Sequence, residues 1–325
     1  MPNGASAKKK GLVVVVYGGF GTTSRARLWG RVLKDKGLDA SRPGESFYRK
    51  LKRNVQALES DEIPGAEVEL KVAGKVYRLK ADHEGLLRLD LSGPLPVGHH
   101  PVSAVLHDGR PYRVEVGRLS IWPASPGLAV VSDVDDTVLK TGVTRKTRMV
   151  WKVLTRSAQE LETYPGAPAL YRALARQAYP IVFVSGSPVN LYSKLREFFR
   201  LKRFPSAPLL LKNLGTSPGS DALRDQRAYK LRRIAEVLEL LPGYRVLLIG
   251  DTGESDPEIY REVSRQYPRR VAATLIHRVT DAVDGEARYR GQVVFAAYPE
   301  ARRHLVGRRL LPEPSPAEDA SEEAR

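Results

Sequence analysis

Carboxylates follow two of the apolar strands that the sequence predicts. Residues 133–137, Asp-Val-Asp-Asp-Thr, come just after the apolar run 128–131, and residues 250–256, Gly-Asp-Thr-Gly-Glu-Ser-Asp, follow the apolar run 246–249. Ligands of open α/β sheets bind beyond the carboxyl ends of the strands, where these residues would meet. Converging carboxylates repel one another unless a cation lies between them, and Mg²⁺ prefers oxygen ligands. Because Mg²⁺ neutralises and orients phosphoryl groups, the pattern indicates phosphoryl-transfer chemistry.

A third apolar run also ends in polar residues, and amphipathic segments separate the three runs. Residues 185–188, Ser-Gly-Ser-Pro, follow the run 181–184. Apolar residues recur at helical spacing in 170–178, 191–199 and 229–241. Apolar strands that alternate with such helices predict a parallel sheet covered on both faces.

The N-terminal part of the chain has a different texture. Residues 11–122 contain short alternating runs separated by turns, which predict an antiparallel all-β sandwich. One helix is expected to interrupt it, because four apolar residues lie on one helical face: Phe47, Leu51, Val55 and Leu58. The glycine-rich run 18–21 lacks the lysine of a phosphate-binding loop and is predicted to form a sandwich turn.

These textures predict five parts along the chain. They are a basic N-terminal segment at 1–10, the β-sandwich domain with its helical insertion at 11–122, a linker at 123–127, an α/β domain at 128–311 and a disordered tail at 312–325. The linker is marked by Pro, Ser and Gly, and the tail is rich in Pro, Glu, Ala and Ser.

Charge and cysteine content limit the classes of function. The 325-residue chain has a formal net charge of +16, which favours phosphorylated metabolites, anionic lipid surfaces or nucleic acid without choosing among them. It contains no cysteine, so disulfides and thiolate chemistry are excluded. The apolar run 12–16 is too short for a signal peptide, and no apolar stretch approaches the roughly 20 residues of a membrane span. We therefore expect a cytoplasmic protein.

The order of the motifs resembles a known superfamily. Asp-x-Asp-x-Thr at 133–137, then Ser185, then Lys230, then Gly-Asp-x₄-Asp at 250–256 resemble the haloacid dehalogenase superfamily of aspartate-nucleophile phosphohydrolases. The chain is more closely similar to the phosphatidate phosphatase family of the actin-patch type, which has fungal and bacterial members. The segments that carry this closer likeness are 132–142, 183–192 and 248–260, with weaker N-terminal ones at 17–21 and 30–33.

The resemblance implies a fold and a set of catalytic roles. The fold would be a haloacid-dehalogenase-like Rossmannoid parallel sheet domain with a small cap, after the N-terminal sandwich. Asp133 would attack phosphorus to form an aspartyl-phosphate, and Asp135 would be the acid and base. Asp133, the carbonyl of Asp135 and Asp251 would bind Mg²⁺, and Asp256 would support the metal's water shell or hold Lys230.

Three further residues would contact the phosphate by the same resemblance: Thr137, Ser185 and Lys230. Two alternatives remain from the residues alone. Ser185 and Asp256 could each cap a following helix, since Ser and Asp are favoured at that position and Pro257 follows Asp256. The lysine could also be another one, with the candidates being Lys194, Lys202 and Lys212.

The reaction that the resemblance implies is hydrolysis of phosphatidate to diacylglycerol and phosphate. The alternatives are a phosphatase for a soluble sugar or nucleotide phosphate, and a non-catalytic module that binds anionic membranes or nucleic acid. The basic segment 145–156 is expected to be a solvated helix, a lip that steers anions, or a helix lying on an anionic membrane. We expect a phosphorylated substrate of the lipid-phosphate class, with peripheral membrane contact and no nucleic acid; the sequence does not predict the oligomeric state.

Overall fold

The structure is a computed structural model that describes five stretches of the chain: 11–35, 62–141, 156–213, 225–279 and 287–314. The predicted helix through Phe47 and Leu58 lies outside these residues. So do the segment 1–10, the basic segment apart from Arg156, and the tail beyond residue 314. The chain forms two compact units, which meet along the sequence between Ala124 and Ser125.

The described part of the first unit consists of strands and turns. Its strands are β1 (Leu12–Thr22), β2 (Arg25–Lys34), β3 (Glu67–Val72), β4 (Lys75–Lys80), β5 (Leu86–Ser92), β6 (Gly98–Leu106), β7 (Tyr112–Val116) and β8 (Arg118–Trp122).

The eight strands form one hydrogen-bonded sheet in the order β4-β3-β6-β8-β1-β2-β5, with β7 also beside β1. Strand β6 pairs with β8 through residues 98–101 and with β3 through residues 102–106, so it continues the sheet from one set of strands to the next. Alternate residues of β1 and β3, such as Val14 and Leu70, are buried in one apolar core. The prediction of an N-terminal all-β domain is confirmed, with its strands joined in one network.

The predicted turn at Gly18–Gly21 is wrong, because β1 continues through these residues to Thr22. The register with β2 shifts between Val16 and Gly18, which marks an irregularity within the strand. A Cβ at Gly19 or Gly21 would overlap backbone carbonyl oxygens of β2. The glycines therefore allow a close approach of two backbones rather than a change of chain direction.

The second unit alternates strands and helices. Its strands are β9 (Gly127–Ser132), β10 (Ile181–Pro188), β11 (Leu209–Lys212), β12 (Tyr244–Asp251), β13 (Val271–His277) and β14 (Val293–Phe295). Its helices are α1 (Ala167–Arg176), α2 (Tyr192–Leu201), α3 (Gln226–Leu240), α4 (Asp256–Gln266) and α5 (Tyr298–Gly307).

The six strands of this unit form a parallel sheet in the order β11-β10-β9-β12-β13-β14. Strand β9 lies at the centre of the sheet. Strand β10 pairs with one edge of β9 and β12 pairs with the other, so the strands that follow β9 in sequence are added on both of its sides. Its residues 128–132 are all buried, as expected for a strand covered on both faces. The predicted α/β class is confirmed, and the carboxyl end of β9 is the switch point where ligands bind in such sheets.

Helix α3 has a local sequence signal at its start. The carboxylate of Asp225, at the N-cap, accepts a hydrogen bond of 2.6 Å from the Ala228 backbone N–H. The helix then buries Tyr229, Lys230 and Ile234 toward the sheet, which includes one cation among apolar residues. Among the described residues, no helix combines the length and the apolarity needed to cross a membrane.

Candidate active site

Asp133 and Asp135 lie at the carboxyl end of the central strand β9. Their exposed fractions are 1% and 2%, although both are carboxylates. The Asp133 N–H donates to the carbonyl of Ile249 on β12 at 2.8 Å, which continues the sheet to the first carboxylate. The side chain of Val134 is buried in the apolar interior between them. The structure therefore places both predicted carboxylates at one site.

The loop after Asp135 is fixed by Asp136. Asp136 has a left-handed φ of 55°, which Asp tolerates better than most residues. Its carboxylate accepts hydrogen bonds from the Thr141 N–H at 2.9 Å and from the Thr141 hydroxyl at 2.5 Å. Its carbonyl oxygen lies 3.0 Å from Nδ1 of the buried His277, at the end of β13. Asp136 thus holds the loop that carries Asp133 and Asp135.

Two serines of β10 hold the carboxylate of Asp135. The hydroxyls of Ser185 and Ser187 donate to Asp135 Oδ2 at 2.7 and 2.9 Å, and the Ser187 N–H donates to Ser185 Oγ at 2.9 Å. The alternative in which Ser185 caps the next helix is wrong, because β10 continues to Pro188 and Leu191 stands at the N-cap of α2. The serine predicted to bind phosphate therefore also orients the second aspartate.

Lys230, on the second turn of α3, is the lysine that the structure places against Asp133. Its exposed fraction is 1%, and its Nζ lies 2.7 Å from Asp133 Oδ1, 2.5 Å from Asp256 Oδ1 and 3.1 Å from Glu254 Oε2. The last two contacts are hydrogen bonds, whereas the contact with Asp133 is an ion pair without hydrogen-bond geometry.

Asp251 and Asp256 are positioned by the end of β12 and the start of α4. Asp251 Oδ1 accepts from the N–H groups of Gly253 and Glu254 at 2.6 and 3.1 Å. Asp256 Oδ2 accepts from the Asp251 N–H at 3.3 Å, while its other oxygen binds Lys230. The alternative in which Asp256 caps α4 is wrong, since Ser255 stands at the N-cap and Asp256 uses both oxygens elsewhere.

Thr137 contacts Asp133, the predicted nucleophile. Its side chain is fully buried, and its hydroxyl donates to Asp133 Oδ2 over a long 3.4 Å. Its carbonyl oxygen accepts a hydrogen bond from the buried hydroxyl of Tyr298 on α5. Thr137 is thus held by the fold, and its side chain reaches Asp133.

Burial sets the protonation of the carboxylates. It raises the pKa of Asp135 to about 6, with a further increase from the nearby negative charge of Glu254 and opposition from the two serine hydroxyls. Burial likewise raises the pKa of Asp133 well above its usual range, although Lys230 opposes the change. Burial lowers the pKa of Lys230, but three neighbouring carboxylates outweigh it and leave that pKa well above its ordinary value. Without a bound cation, the site therefore disfavours the state in which all of its carboxylates are ionised.

The donor set fits a hard divalent cation. Oxygen atoms of Asp133, Asp251 and Asp256 lie within 4.8 Å of one another, and all three side chains are buried. Among the described residues, Asp251 Oδ2 and Asp135 Oδ1 are buried without a hydrogen-bond partner. An unpaired oxygen of Asp251 beside Asp133 is what a metal ligand would show. Asp256 fits less well, because both of its oxygens already accept hydrogen bonds.

Three residues of the site were not predicted from the sequence: Ser187, Glu254 and His277. Ser187 and Glu254 lie inside the polar strand ends at 185–188 and 250–256, so the position of a residue beyond an apolar strand was a usable signal. His277 ends a strand that the motif series does not include, and its ring lies against Tyr164 and Tyr298. Its contact with the loop after β9 depends on residues that are distant in sequence.

Comparison with known proteins finds relatives of the part of the chain that contains this site. Residues 128–278 match the family described as the catalytic domain of phosphatidate phosphatase APP1. The chain is 29% identical over 151 residues to phosphatidate phosphatase APP1 of Saccharomyces cerevisiae, which covers 46% of this chain and 26% of that protein. It is 27% identical over 153 residues to an uncharacterized protein of Schizosaccharomyces pombe, covering 47% and 25%. The match thus spans about a quarter of each curated relative, and for this part of the chain the predicted family resemblance is confirmed.

Two solved structures are similar at low TM-scores. A HAD family hydrolase from Deinococcus radiodurans R1 aligns with a TM-score of 0.40 and 14% identity, covering 58% of this chain and 100% of that one. A phosphoserine phosphatase in its apo form aligns with a TM-score of 0.36 and 9% identity, covering 56% and 98%.

Proposed function

We propose, from the family match of residues 128–278 and from the site at the end of β9, that the protein is a phosphoric monoester hydrolase. The observation that carries the proposal is the arrangement around Asp133. A buried carboxylate with an adjacent lysine ammonium at 2.7 Å stands beside a second carboxylate oriented by two serines. A nucleophile beside an acid–base group and a cation is the set that covalent phosphoryl transfer needs.

Asp133 is the proposed nucleophile. Its Oδ1 would bond to phosphorus as the bond from phosphorus to the leaving oxygen breaks, which gives an aspartyl-phosphate and the free alcohol. Lys230 offsets negative charge on Asp133 and on the transferred group. Thr137 limits the rotation of the carboxylate through its contact with Oδ2.

Asp135 is the proposed acid and base. Its pKa of about 6 lies near neutral pH, where a side chain exchanges protons most usefully. It would give a proton to the leaving oxygen and later take one from the water that hydrolyses the aspartyl-phosphate. The hydroxyls of Ser185 and Ser187 fix one of its oxygens, and the other is free of hydrogen bonds to described residues.

Mg²⁺ is the proposed cofactor, held by Asp133, Asp251 and the carbonyl of Asp135. When bound, it would neutralise charge and orient the phosphoryl group. The unpaired, buried oxygen of Asp251 supports this assignment. Asp256 is assigned to Lys230 rather than to the metal, because its two oxygens are occupied.

Phosphatidate is the proposed substrate, with diacylglycerol as the second product. The name of the yeast relative and the family description support a lipid phosphate. The formal charge of +16 would favour peripheral contact between a cytoplasmic protein and an anionic membrane. A soluble sugar or nucleotide phosphate remains the alternative that the same chemistry would serve.

A substrate panel tests the proposal. Release of inorganic phosphate is measured with Mg²⁺ from phosphatidate in mixed micelles and from soluble sugar and nucleotide monoesters. We expect phosphatidate to be hydrolysed fastest, Asp133→Asn to lose at least about 10³-fold in kcat, and Asp108→Asn, in an exposed turn of the first unit, to behave as the wild type. Turnover of soluble esters alone would overturn the lipid assignment. Unchanged turnover in Asp133→Asn would overturn the mechanism, and tight binding of anionic vesicles or nucleic acid without hydrolysis would favour a binding module.

A further inference from the structure

Three carboxylates surround the ammonium of Lys230. Asp256, Asp133 and Glu254 contribute oxygen atoms at 2.5, 2.7 and 3.1 Å from Nζ. A lysine ammonium carries three N–H donors, and Cε takes the fourth direction around the nitrogen. Asp256 and Glu254 accept hydrogen bonds from the ammonium, and Asp133 Oδ1 lies against it as an ion pair, so three carboxylate oxygens crowd the nitrogen.

A phosphoryl group that approaches Lys230 competes with these partners for the ammonium. Asp133 has to stay, because it is the proposed nucleophile. Asp256 is fully buried, and its other oxygen is held by the Asp251 N–H. Glu254 makes the longest contact, and its side chain is 13% exposed, against 0–1% for the other two carboxylates. Glu254 is the partner that can turn toward solvent.

The backbone of Glu254 is anchored independently of its carboxylate. The N–H donates to Asp251 Oδ1 at 3.1 Å, and the carbonyl oxygen accepts from Arg288 Nη2 at 3.0 Å. Besides Lys230, the carboxylate contacts Gln226, the first residue of α3, which donates from Nε2. A rotation of the Glu254 side chain would thus leave the loop and Asp251 in place.

Gln226 places this contact above the serines of β10. A Cβ on Gly186 would lie 3.3 Å from Gln226 Cδ, so the amide lies over the backbone between Ser185 and Ser187. The pair of Gln226 and Glu254 therefore joins the end of β10 to the loop after β12, next to the carboxylates that would receive the phosphoryl group. When Glu254 leaves, both the Lys230 ammonium and the Gln226 amide gain a free donor.

We propose that Glu254 is an exchangeable partner of Lys230, which occupies the ammonium in the free protein and gives way to the phosphoryl group of the substrate. This inference rests on the proposed function. A monoester phosphoryl group carries about two negative charges near neutral pH, so it is attracted to the ammonium more strongly than the single charge of Glu254 is. Glu254 is thus a positioning residue that occupies the ammonium in the free protein and weakens the binding of an anion by the free energy needed to displace it.

Direct binding tests the exchange without any turnover. Titration calorimetry with Mg²⁺ measures the affinity of inorganic phosphate, as the dianion probe, and of dimethyl phosphate, as the diester probe. For Glu254→Gln we expect about 3- to 10-fold tighter binding of phosphate and a similar gain for dimethyl phosphate, because the cost of displacing the carboxylate is common to both anions. Glu254→Asp, which keeps the charge but is too short to reach Lys230 in the same geometry, should shift in the same direction by less. Glu262→Gln, on the outer part of α4 where Glu262 pairs with Arg265, should leave both affinities unchanged.

Several outcomes decide the inference. Unchanged or weaker phosphate binding in Glu254→Gln, with the wild-type unfolding curve, would overturn the exchange. A gain for one probe with none for the other would overturn a displacement of Glu254 that is common to both anions. If the wild type hydrolyses no monoester, the proposed function fails while the binding comparison still decides the exchange. If hydrolysis is normal and KM for a soluble monoester does not fall in Glu254→Gln, the exchange fails while the proposed function stands.

Discussion

The ammonium of Lys230 lies 2.7 Å from Asp133 Oδ1, and the two side chains are only 2% and 1% exposed. Burial of a carboxylate without a partner is costly, and this site contains several. Lys230 is the cation closest to them among the described residues, since it contacts Asp133, Asp256 and Glu254 together. The lysine thus has a role in stability that can be measured without substrate.

Replacement of Lys230 by Met should destabilise the metal-free protein strongly at neutral pH. Removal of one partner from a buried ion pair costs roughly 3–5 kcal/mol, because the remaining charge has no compensation. The loss should shrink at acidic pH, where the carboxylates bind protons. Urea unfolding at pH 7.5 and pH 5 measures both effects.

Lys140→Met is the matched control for this change. Lys140 is 49% exposed and lies 4.0 Å from Glu162, so its loss should alter the free energy of unfolding by less than about 1 kcal/mol. A similar loss in the two variants would contradict the stabilising role of Lys230.

Replacement of Asp135 by Asn should stabilise the metal-free protein while abolishing turnover. The pKa of Asp135 is raised by burial from 3.8 to about 6 in the folded protein. A raised pKa means that the folded state holds the proton more tightly, so this stabilisation is present below about pH 4 and is lost as pH rises through about 6. Two pKa units correspond to about 3 kcal/mol. The variant should therefore match the wild type at pH 4 and exceed it by up to about 3 kcal/mol at pH 7.5.

Urea unfolding across pH 4–7.5 checks this dependence. Asp108→Asn is the control. Arg110 lowers the pKa of Asp108, so the contribution of Asp108 to the free energy of unfolding should be lost toward acidic pH instead. If the difference in the free energy of unfolding between Asp135→Asn and the wild type does not grow with pH, Asp135 is not held neutral by burial.

The sequence predicted the principal carboxylates because position and residue type agree at the strand ends. Asp133 and Asp251 each follow a buried apolar strand, and parallel neighbours bring such ends together. Lys230 was harder to predict, since a lysine in an amphipathic helix is usually exposed, and only the motif order favoured it over Lys202 or Lys212.

Contacts that depend on side-chain directions could not be predicted from the sequence. Glu254 and Asp256 both lie in the polar segment after β12 and both contact Lys230, yet Asp256 is fully buried while the Glu254 side chain is 13% exposed and also accepts a hydrogen bond from Gln226. Gly19 and Gly21 carry the usual signal of a turn, although here they allow two strands to approach closely. In both cases the deciding factor is a neighbour distant in sequence.

Addition of Mg²⁺ should stabilise the protein through Asp251. A ligand that binds only the folded state at a hundred times its Kd adds about 2.7 kcal/mol. The unpaired Asp251 Oδ2 would contribute to that binding, so Asp251→Asn should lose most of the increase in Tm that Mg²⁺ produces in the wild type. Thermal unfolding at increasing Mg²⁺ concentration measures it, with Glu262→Gln as the charge-matched control. An equal Mg²⁺ response in Asp251→Asn and the wild type would remove Asp251 from the metal site.

Replacement of Gly250 by Ala should damage the site through packing alone. A Cβ at Gly250 would lie 2.7 Å from Tyr260 Cε2 and 2.8 Å from Asp256 Cβ, which is closer than van der Waals contact. It would also overlap the carboxylate of Asp256, which holds Lys230. Overpacking of a buried position typically costs 1–3 kcal/mol. Because Asp256 would have to move, Lys230 would lose its closest partner, and kcat should fall more than the loss of stability alone explains.

Gly307→Ala separates this local effect from a general effect of the substitution. Gly307 ends α5, and a Cβ there would meet no atom within 4 Å. That variant should keep the wild-type kcat and the wild-type free energy of unfolding to within about 1 kcal/mol. Wild-type kcat in Gly250→Ala, measured under conditions where the variant is fully folded, would show that the position of Asp256 does not govern the action of Lys230.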